Sequence, residues 1–227
     1  MIRLWKLVSL AVGLPALGTV LLTAGCGSSK SGSSQTQLRV MNAAVDEPKL
    51  DLLVDGTSSA TNIAYGTSDG YHSIASGSRH IQIEPSGTSS PLIDQNISFS
   101  SGSSTTIIAA NFSSSITTLV LTDDNSAPPS GDIKLRIVNA APSIGPADVY
   151  IVSPGTDISG TGPTLTNLAF GSASSYQTLS ATNYEIMFTP TGQKFILIDS
   201  GSESFSSGQV RTFVGLNGQF TLLQDLN

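Results

Sequence analysis

The sequence of 227 residues contains one cysteine, Cys26, and one tryptophan, Trp5. A single cysteine excludes an intramolecular disulfide, and two histidines without a further cysteine leave too few ligands for a typical zinc site. Charged residues make up 11% of the chain, and the net charge is −6. Because phosphate contacts need clustered Lys and Arg, this composition excludes nucleic acid as a partner. We therefore expect neither a metal nor another cofactor.

Residues 1–25 have the composition of an export signal. Arg3 and Lys6 give the chain a positive start, and residues 7–22 are almost entirely apolar. A basic start, a short apolar stretch and small residues before a cleavage point are typical of such signals. The apolar stretch is shorter than the roughly 20 residues that a transmembrane helix needs. We predict that residues 1–25 are removed.

The run Leu22-Thr23-Ala24-Gly25-Cys26 resembles a lipobox, the site at which bacterial lipoproteins are processed. The resemblance implies that the sulfur of Cys26 takes a diacylglycerol and that several acyl chains hold the protein on a membrane. This predicts a location in the cell envelope, at the outer membrane if the cell has two membranes, since Gly27 rather than Asp follows. The alternative is an ordinary secretory signal with an incidental cysteine.

Residues 26–37 contain almost only Gly, Ser, Gln, Lys and Thr after the cysteine. Such a segment has no apolar side chain to bury and is typical of a flexible tether. We predict that it holds the first folded domain away from the lipid surface.

The rest of the chain contains an internal duplication. We call residues 38–124 the first copy and residues 132–227 the second copy. So many matches in the same order make chance implausible, and a period near 100 residues is too long for a solenoid. The matching segments are Leu38–Ala44 with Leu135–Ala141, Asp51 with Asp148, Asn62–Gly66 with Asn167–Gly171, Tyr71 with Tyr176, Ile83–Gly87 with Phe188–Gly192, Leu92–Asp94 with Leu197–Asp199, and Leu121–Asp123 with Leu223–Asp225.

Each copy has the pattern of a β-sandwich. Apolar and polar residues alternate through residues 50–55 and 80–84, and Gly, Ser and Pro separate such segments at short intervals. We predict an all-β protein of two tandem immunoglobulin-like β-sandwich domains. The domains span residues 38–124 and 132–227, and the Pro-rich residues 125–131 link them. We expect each domain to fold independently.

The order Leu-Arg-[Val/Ile]-x-Asn-Ala-Ala, an Asp-containing strand, Asn-x-Ala-[Tyr/Phe]-Gly, a Tyr, and a strand ending in Pro-[Ser/Thr]-Gly resembles domain-of-unknown-function family 4397. Both copies carry it, over nearly all of residues 36–227. The resemblance implies secreted or surface-attached β-domains. It supplies no established activity and no catalytic residues.

Few side chains suggest catalysis. His72 and His80 are the candidate general bases, but neither is repeated in the second copy, and both are interpreted as exposed strand residues. Nothing resembles the Gly-x-Ser-x-Gly elbow of a serine hydrolase. We therefore assign no catalytic residue.

Other recurring residues have structural interpretations that compete with functional ones. The recurring aspartates could supply the two carboxylates of a glycosidase, but Asp at a strand end more often bonds the adjacent backbone. These aspartates are Asp51 with Asp148, Asp94 with Asp199, and Asp123 with Asp225. Tyr65 and Phe170 could contact a ligand, although core packing is the better interpretation. Asp123, Asp124 and Asn125 could offer oxygen ligands to calcium, but a solvated turn is favoured.

We predict a lipid-anchored envelope protein with a non-catalytic structural or interaction role and a surface protein or glycan as its partner. The alternatives are a glycan-binding surface module and a carbohydrate-active or hydrolytic enzyme. The copies differ most at Ser153–Pro163, where the second copy has gained residues. This Gly- and Pro-containing loop is expected to leave the sheet and run over the surface, either as a neutral insertion or as a binding loop.

Overall fold

The computed structural model describes residues 34–226. The predicted signal, the lipid attachment site Cys26 and most of the predicted tether lie outside these residues. Within them, no helix is long and apolar enough to cross a membrane.

The first copy forms two four-stranded sheets. The first inner sheet has the strand order β4-β1-β7-β8, and the first outer sheet has the order β3-β2-β5-β6. All neighbouring strands are antiparallel except β1 and β7, which are parallel. The strands are β1 (Gln35–Ala44), β2 (Lys49–Val54), β3 (Thr57–Ala64), β4 (His72–Ala75), β5 (Gly77–Pro85), β6 (Ile93–Phe99), β7 (Ser104–Asn111) and β8 (Thr117–Asp123).

The second copy repeats this arrangement. The second inner sheet has the order β12-β9-β17-β18 with β13 also paired to β9, and the second outer sheet has the order β11-β10-β14-β15 with β16 also paired to β14. Here β9 and β17 are the parallel pair. The strands are β9 (Asp132–Asn139), β10 (Ala147–Val152), β11 (Leu165–Leu168), β12 (Ser172–Ala173), β13 (Gln177–Ser180), β14 (Asn183–Pro190), β15 (Ile198–Asp199), β16 (Glu203–Ser204), β17 (Val210–Leu216) and β18 (Gln219–Leu226).

The prediction of an all-β protein built from sandwiches is confirmed. The start of β1 differs from the sequence-based boundary, because Gln35 and Thr36 pair with β4 although they fall within the predicted tether. Thr36 is buried and donates a hydrogen bond from Oγ1 to the carbonyl oxygen of Ser103 (2.8 Å). This backbone pairing makes a strand of residues that have no apolar side chain.

Three apolar layers separate the four sheets. One fills the first copy, between its inner and outer sheets, and another fills the second copy. The layer between them joins the two inner sheets, so it belongs to both copies. Its buried members are Met41, Ala43, Ile108, Ala110 and Leu119 from the first copy and Val138, Ala140, Val214, Leu216 and Leu223 from the second.

The middle layer explains why the central strands are apolar on both faces. In β1, Leu38 and Val40 face the core of the first copy, whereas Met41 and Ala43 face the other copy. The described residues accordingly form one compact unit. The proposed domain boundaries stay a prediction. Because either copy alone would expose its half of the shared layer to water, we now expect independent folding of each copy to be less favourable.

The loop Ser153–Pro163 does not simply run through solvent. Ile158 is buried in a cluster with Tyr150 and Met187, which lie on the solvent-side face of the second outer sheet. The Glu185 carboxylate accepts a hydrogen bond from the backbone N–H of Gly155 at 2.6 Å. The loop thus lies outside the strands, as expected, and it also packs on the sheet, because it covers apolar side chains that would otherwise face water.

A polar ring and a cavity at the junction of the two copies

Two buried ion pairs cross from one copy to the other. Arg39 of the first copy donates to Asp225 of the second, with 2.5 Å between Nη2 and Oδ1. Arg136 of the second copy donates to Asp123 of the first at the same distance. All four side chains are at most 4% exposed. Each copy thus supplies one cation and one anion, as expected for an approximately two-fold interface.

Two threonines close these pairs into a ring. Arg39 donates to Thr106 Oγ1, and Thr106 donates to Asp123 Oδ2 at 2.7 Å. In the second copy, Arg136 donates to Thr212, which donates to Asp225 at 2.6 Å. Because a buried charge is costly unless it is paired and hydrogen-bonded, the ring explains why both copies retain the same Arg, Thr and Asp.

Tyr71 and Tyr176 cover the ring. The Tyr71 hydroxyl donates to Asp123 at 2.7 Å, and the Tyr176 hydroxyl donates to Asp225 at 2.9 Å. The guanidinium of Arg39 lies 4.5 Å from the centre of the Tyr71 ring, a cation–π contact that Arg136 repeats over Tyr176. Burial raises the pKa of both tyrosines above the ordinary value of 10.0, so both hydroxyls remain donors.

The Asn of each Asn-Ala-Ala run satisfies buried backbone groups. Asn42 donates from Nδ2 to the carbonyl oxygens of Glu47 and Ile63 and accepts from the Ala44 N–H. Asn139 makes the same three kinds of bond in the second copy. These residues therefore fix the turn between the first two strands of each copy.

The recurring Asp of β2 and β10 also bonds the backbone, as the structural interpretation predicted. Asp51 accepts from the N–H of Asn62 at 2.7 Å, and Asp148 accepts from the N–H of Asn167 at 2.8 Å. Both asparagines have positive φ, 58° and 55°, a conformation that Asn tolerates better than most residues. The motif Asn thus suits the positive-φ backbone conformation at this position.

Tyr65 and Phe170 pack against the middle apolar layer, so the core interpretation holds, but the core is the one that both copies share. Gly66 follows Tyr65 with φ of 77°, and a Cβ there would lie 3.0 Å from the side chain of Gln219 in the other copy. Its carbonyl oxygen accepts a hydrogen bond from Thr221 of that copy. Glycine is favoured at this position for its positive φ, while the near side chain of Gln219 is flexible and could move.

The two histidines occupy different surroundings. His80 is an exposed strand residue, as the sequence interpretation anticipated. Its Nε2 lies 2.5 Å from Oδ1 of Asp94. His72 differs from that interpretation because its Nε2 is buried and lies 2.9 Å from Oδ2 of Asp69. Neither of these two atoms has a further hydrogen-bond partner within the described part of the chain. His72 and Asp69 thus form a close polar contact with unused hydrogen-bonding capacity.

A cavity of about 560 Å³ opens beside this contact, on one side of the polar ring. Its size is within the usual range for small-ligand pockets. It lies between the β3–β4 connection of the first copy and the end of β18 in the second. Its lining residues are Arg39, Ser68, Asp69, Gly70, Tyr71, Gln224, Asp225 and Leu226.

The charges of the cavity wall are largely committed to the ring. Arg39 already donates to Thr106, to the Gln224 carbonyl oxygen and to Asp225. The Ser68 hydroxyl and the Gln224 side-chain amide, by contrast, make no hydrogen bond to other described residues. The wall therefore offers neutral hydrogen-bonding groups and acidic oxygens, which disfavours anionic ligands.

Sequence reasoning did not place Asp69, Ser68 or Gln224 at a site. They are not repeated in the second copy, so the duplication gave no signal for them. Among the described residues, no group of three or more His, Cys, Asp or Glu could hold a metal ion. Asp123, considered above for calcium, instead accepts from Arg136, and Asp124 pairs with Lys134 at 2.6 Å.

The fold and the junction define an all-β protein in which two similar copies, each with an inner and an outer sheet, are joined by a buried ring of polar side chains. The chain belongs to the family described as Domain of unknown function (DUF4397), whose model matches residues 36–150, about half of the sequence. The match extends through the first copy to Tyr150 of the second. No curated protein matches the chain.

Solved structures with distant likeness include a family-26 carbohydrate-binding module of Eubacterium rectale Amy13K in complex with maltoheptaose. Its identity is 12% and its TM-score 0.28, and the match covers 84% of this chain and 96% of that one. An α-glucan-binding streptococcal virulence factor has 7% identity, a TM-score of 0.30 and coverages of 83% and 96%. The Bacillus anthracis TIE protein has 10% identity, a TM-score of 0.24 and coverages of 81% and 34%. Likeness at this level carries no argument about a ligand.

Proposed function

We propose that this protein is a non-catalytic binding protein of the cell envelope, that lipid on Cys26 anchors it, and that its ligand is a neutral glycan. The anchor is proposed from the lipobox-like residues that end at Cys26. The glycan rests on the junction cavity, whose unbonded Ser68 hydroxyl and Gln224 amide suit a hydroxyl-rich ligand.

The roles of the recurring polar residues support a non-catalytic protein. Arg39, Asp123 and Tyr71, with their counterparts in the second copy, are bonded to one another across the junction. Catalytic sets instead leave a nucleophile or base directed at a substrate. The residues that both copies share thus hold the fold together and leave no shared reactive group.

A surface protein is the second candidate partner, and one observation favours it. Phe195 is 68% exposed and Ile196 is 38% exposed, on the connection between β14 and β15. The corresponding residues of the first copy are Ser90 and Pro91. Two adjacent exposed apolar side chains are a small patch, well below the usual size of a protein interface, so we rank the glycan first.

The anchor is tested by Cys26→Ser. We expect this variant to remain as unprocessed precursor or to be released as soluble protein, because the substitution removes the sulfur that receives lipid. The readout is partitioning into detergent together with the mass of the product. A variant that partitions like wild type at the mature size would refute the anchor.

The ligand class is tested by screening the purified protein against neutral and acidic glycans. We expect binding of neutral glycans only, because Asp69 lines the cavity and Arg39, the cation among the lining residues, is paired with Asp225. The double variant Phe195→Ser/Ile196→Ser serves as a control, since it alters the exposed patch and not the cavity. Loss of glycan binding in that variant would show that the glycan contacts the exposed patch and not the cavity.

A further inference from the structure

We infer that the protein has one saccharide-sized binding site per chain, at the junction cavity of the first copy, in which the Asp69 carboxylate, the Ser68 hydroxyl and the Gln224 amide bind hydroxyl groups of a neutral sugar. This inference rests on the proposed function and adds its location, its stoichiometry and its residues. It makes the two copies unequal despite their common fold.

The comparison between copies separates the structural role of Asp69 from any other role. Asp69 Oδ1 accepts a hydrogen bond from the Val40 N–H at 2.7 Å. At the equivalent place in the second copy, Ser174 Oγ accepts from the Ile137 N–H at 2.9 Å. A serine therefore meets the backbone requirement, and the carboxylate of Asp69 exceeds what the fold needs.

The carboxylate is also placed where it is costly. Its side chain is 5% exposed, and burial raises the pKa of Asp69 above its ordinary value. An ionised carboxylate can accept about four hydrogen bonds. Asp69 Oδ1 accepts one from Val40, and Oδ2 lies 2.9 Å from Nε2 of His72, so only part of this capacity is used. Buried polar groups that have unused hydrogen-bonding capacity and lie beside a cavity are typical of binding sites.

The two-fold related position of the second copy carries different side chains. Ser174 stands in place of Asp69, Gln177 in place of His72, and Thr122 in place of Gln224. There the chain continues into the linker, where Lys134 Nζ donates to Asp124 at 2.6 Å and to Ser126 at 2.7 Å. The donors and acceptors that we assign to the sugar are thus present at one of the two positions.

The charge of the wall specifies a neutral ligand. Asp69 contributes a carboxylate to the lining, whereas the charges of Arg39 and Asp225 are paired with each other and the Asp225 side chain is fully buried. A phosphate or uronic acid would meet no unpaired cation among the lining residues. A neutral sugar can instead donate its hydroxyl hydrogens to the carboxylate and exchange hydrogen bonds with the amide and the hydroxyl.

The test is calorimetric titration of the full chain, purified in detergent, with neutral oligomers of glucose, galactose, mannose and N-acetylglucosamine. We expect one site per chain. Asp69→Ser should weaken binding about tenfold or more, the scale of a lost charge-assisted hydrogen bond. It should leave the fold intact because serine already serves at position 174. The matched control Ser174→Asp should bind as wild type does.

The outcomes distinguish the site from the function. Two sites per chain, or unchanged affinity in Asp69→Ser, would overturn the site and leave glycan binding standing. Loss of binding in Ser174→Asp but not in Asp69→Ser would place the ligand on the second copy and also overturn it. Binding to no member of the panel would overturn both the site and the proposed function. Gln224→Ala, which alters an exposed side chain, provides a second variant that should weaken binding without unfolding.

Discussion

Replacement of Asp225 by Ala should be among the most destabilising single changes in this protein. Asp225 accepts hydrogen bonds from Arg39, Thr212 and Tyr176, at 2.5, 2.6 and 2.9 Å. The variant leaves the guanidinium of Arg39 buried without its anion. Breaking one partner of a buried pair typically costs about 3–5 kcal/mol. For a domain of this size, that corresponds to a Tm lower by about 6–20 °C.

The assay is thermal unfolding followed by calorimetry, with urea unfolding as an independent measure. Asp123→Ala should give a similar loss, because the ring is approximately two-fold symmetric. Asp124→Ala is the matched control: Asp124 is 54% exposed, and its pair with Lys134 should contribute about 1 kcal/mol or less.

A double replacement distinguishes the charge from the hydrogen bonds. Arg39→Met with Asp225→Leu removes both charges and keeps apolar volume, so it should recover much of the loss. Recovery should be incomplete because the hydroxyls of Thr212 and Tyr176 lose their acceptor. If Asp225→Ala lowers Tm no more than Asp124→Ala does, the buried ring does not hold the copies together and the reasoning is wrong.

Three further predictions follow from the packing of the copies, the insertion and Asp69. A protease site inserted between Ser126 and Gly131 should allow the linker to be cut. The two halves should still co-elute in gel filtration, because they share an apolar layer and two buried ion pairs. Halves that separate at micromolar concentration would contradict this prediction. Ile158→Ala should lower the free energy of unfolding by about 2 kcal/mol or more, since Ile158 is buried against Tyr150 and Met187. The control is Ile196→Ala, at an exposed position, which should have little effect on the free energy of unfolding. Equal effects of the two variants would show that the insertion does not pack on the sheet. Burial raises the pKa of Asp69 above 3.8, so the ionised carboxylate costs stability at neutral pH. Asp69→Ser should therefore raise Tm at pH 7, and the difference in Tm should shrink as the pH falls through the raised pKa toward 3.8. A lower Tm at pH 7, measured by the same calorimetry, would show that the carboxylate stabilises the fold.

The sequence by itself determined the class of fold and the duplication. Period-2 alternation in residues such as Ile81 and Ile83 is a local signal, because successive side chains of a strand point to opposite faces. The recurrence of Arg39 as Arg136 and of Tyr71 as Tyr176 likewise needs no structure to be seen. A backbone role for Asp51 and Asp148 was anticipated, but their partners, the N–H groups of Asn62 and Asn167, lie on the neighbouring strand and not in the adjacent backbone.

The tertiary structure decided how the recurring residues are used. A repeated Arg and a repeated Asp can pair within a copy or between copies, and the sequence is the same in both cases. The observed partners, Arg39 and Asp225, are 186 positions apart, and only the packing of the inner sheets brings them together. The same packing encloses the cavity beside Asp69. Contacts of this range depend on how sheets stack, which no local pattern of residues specifies.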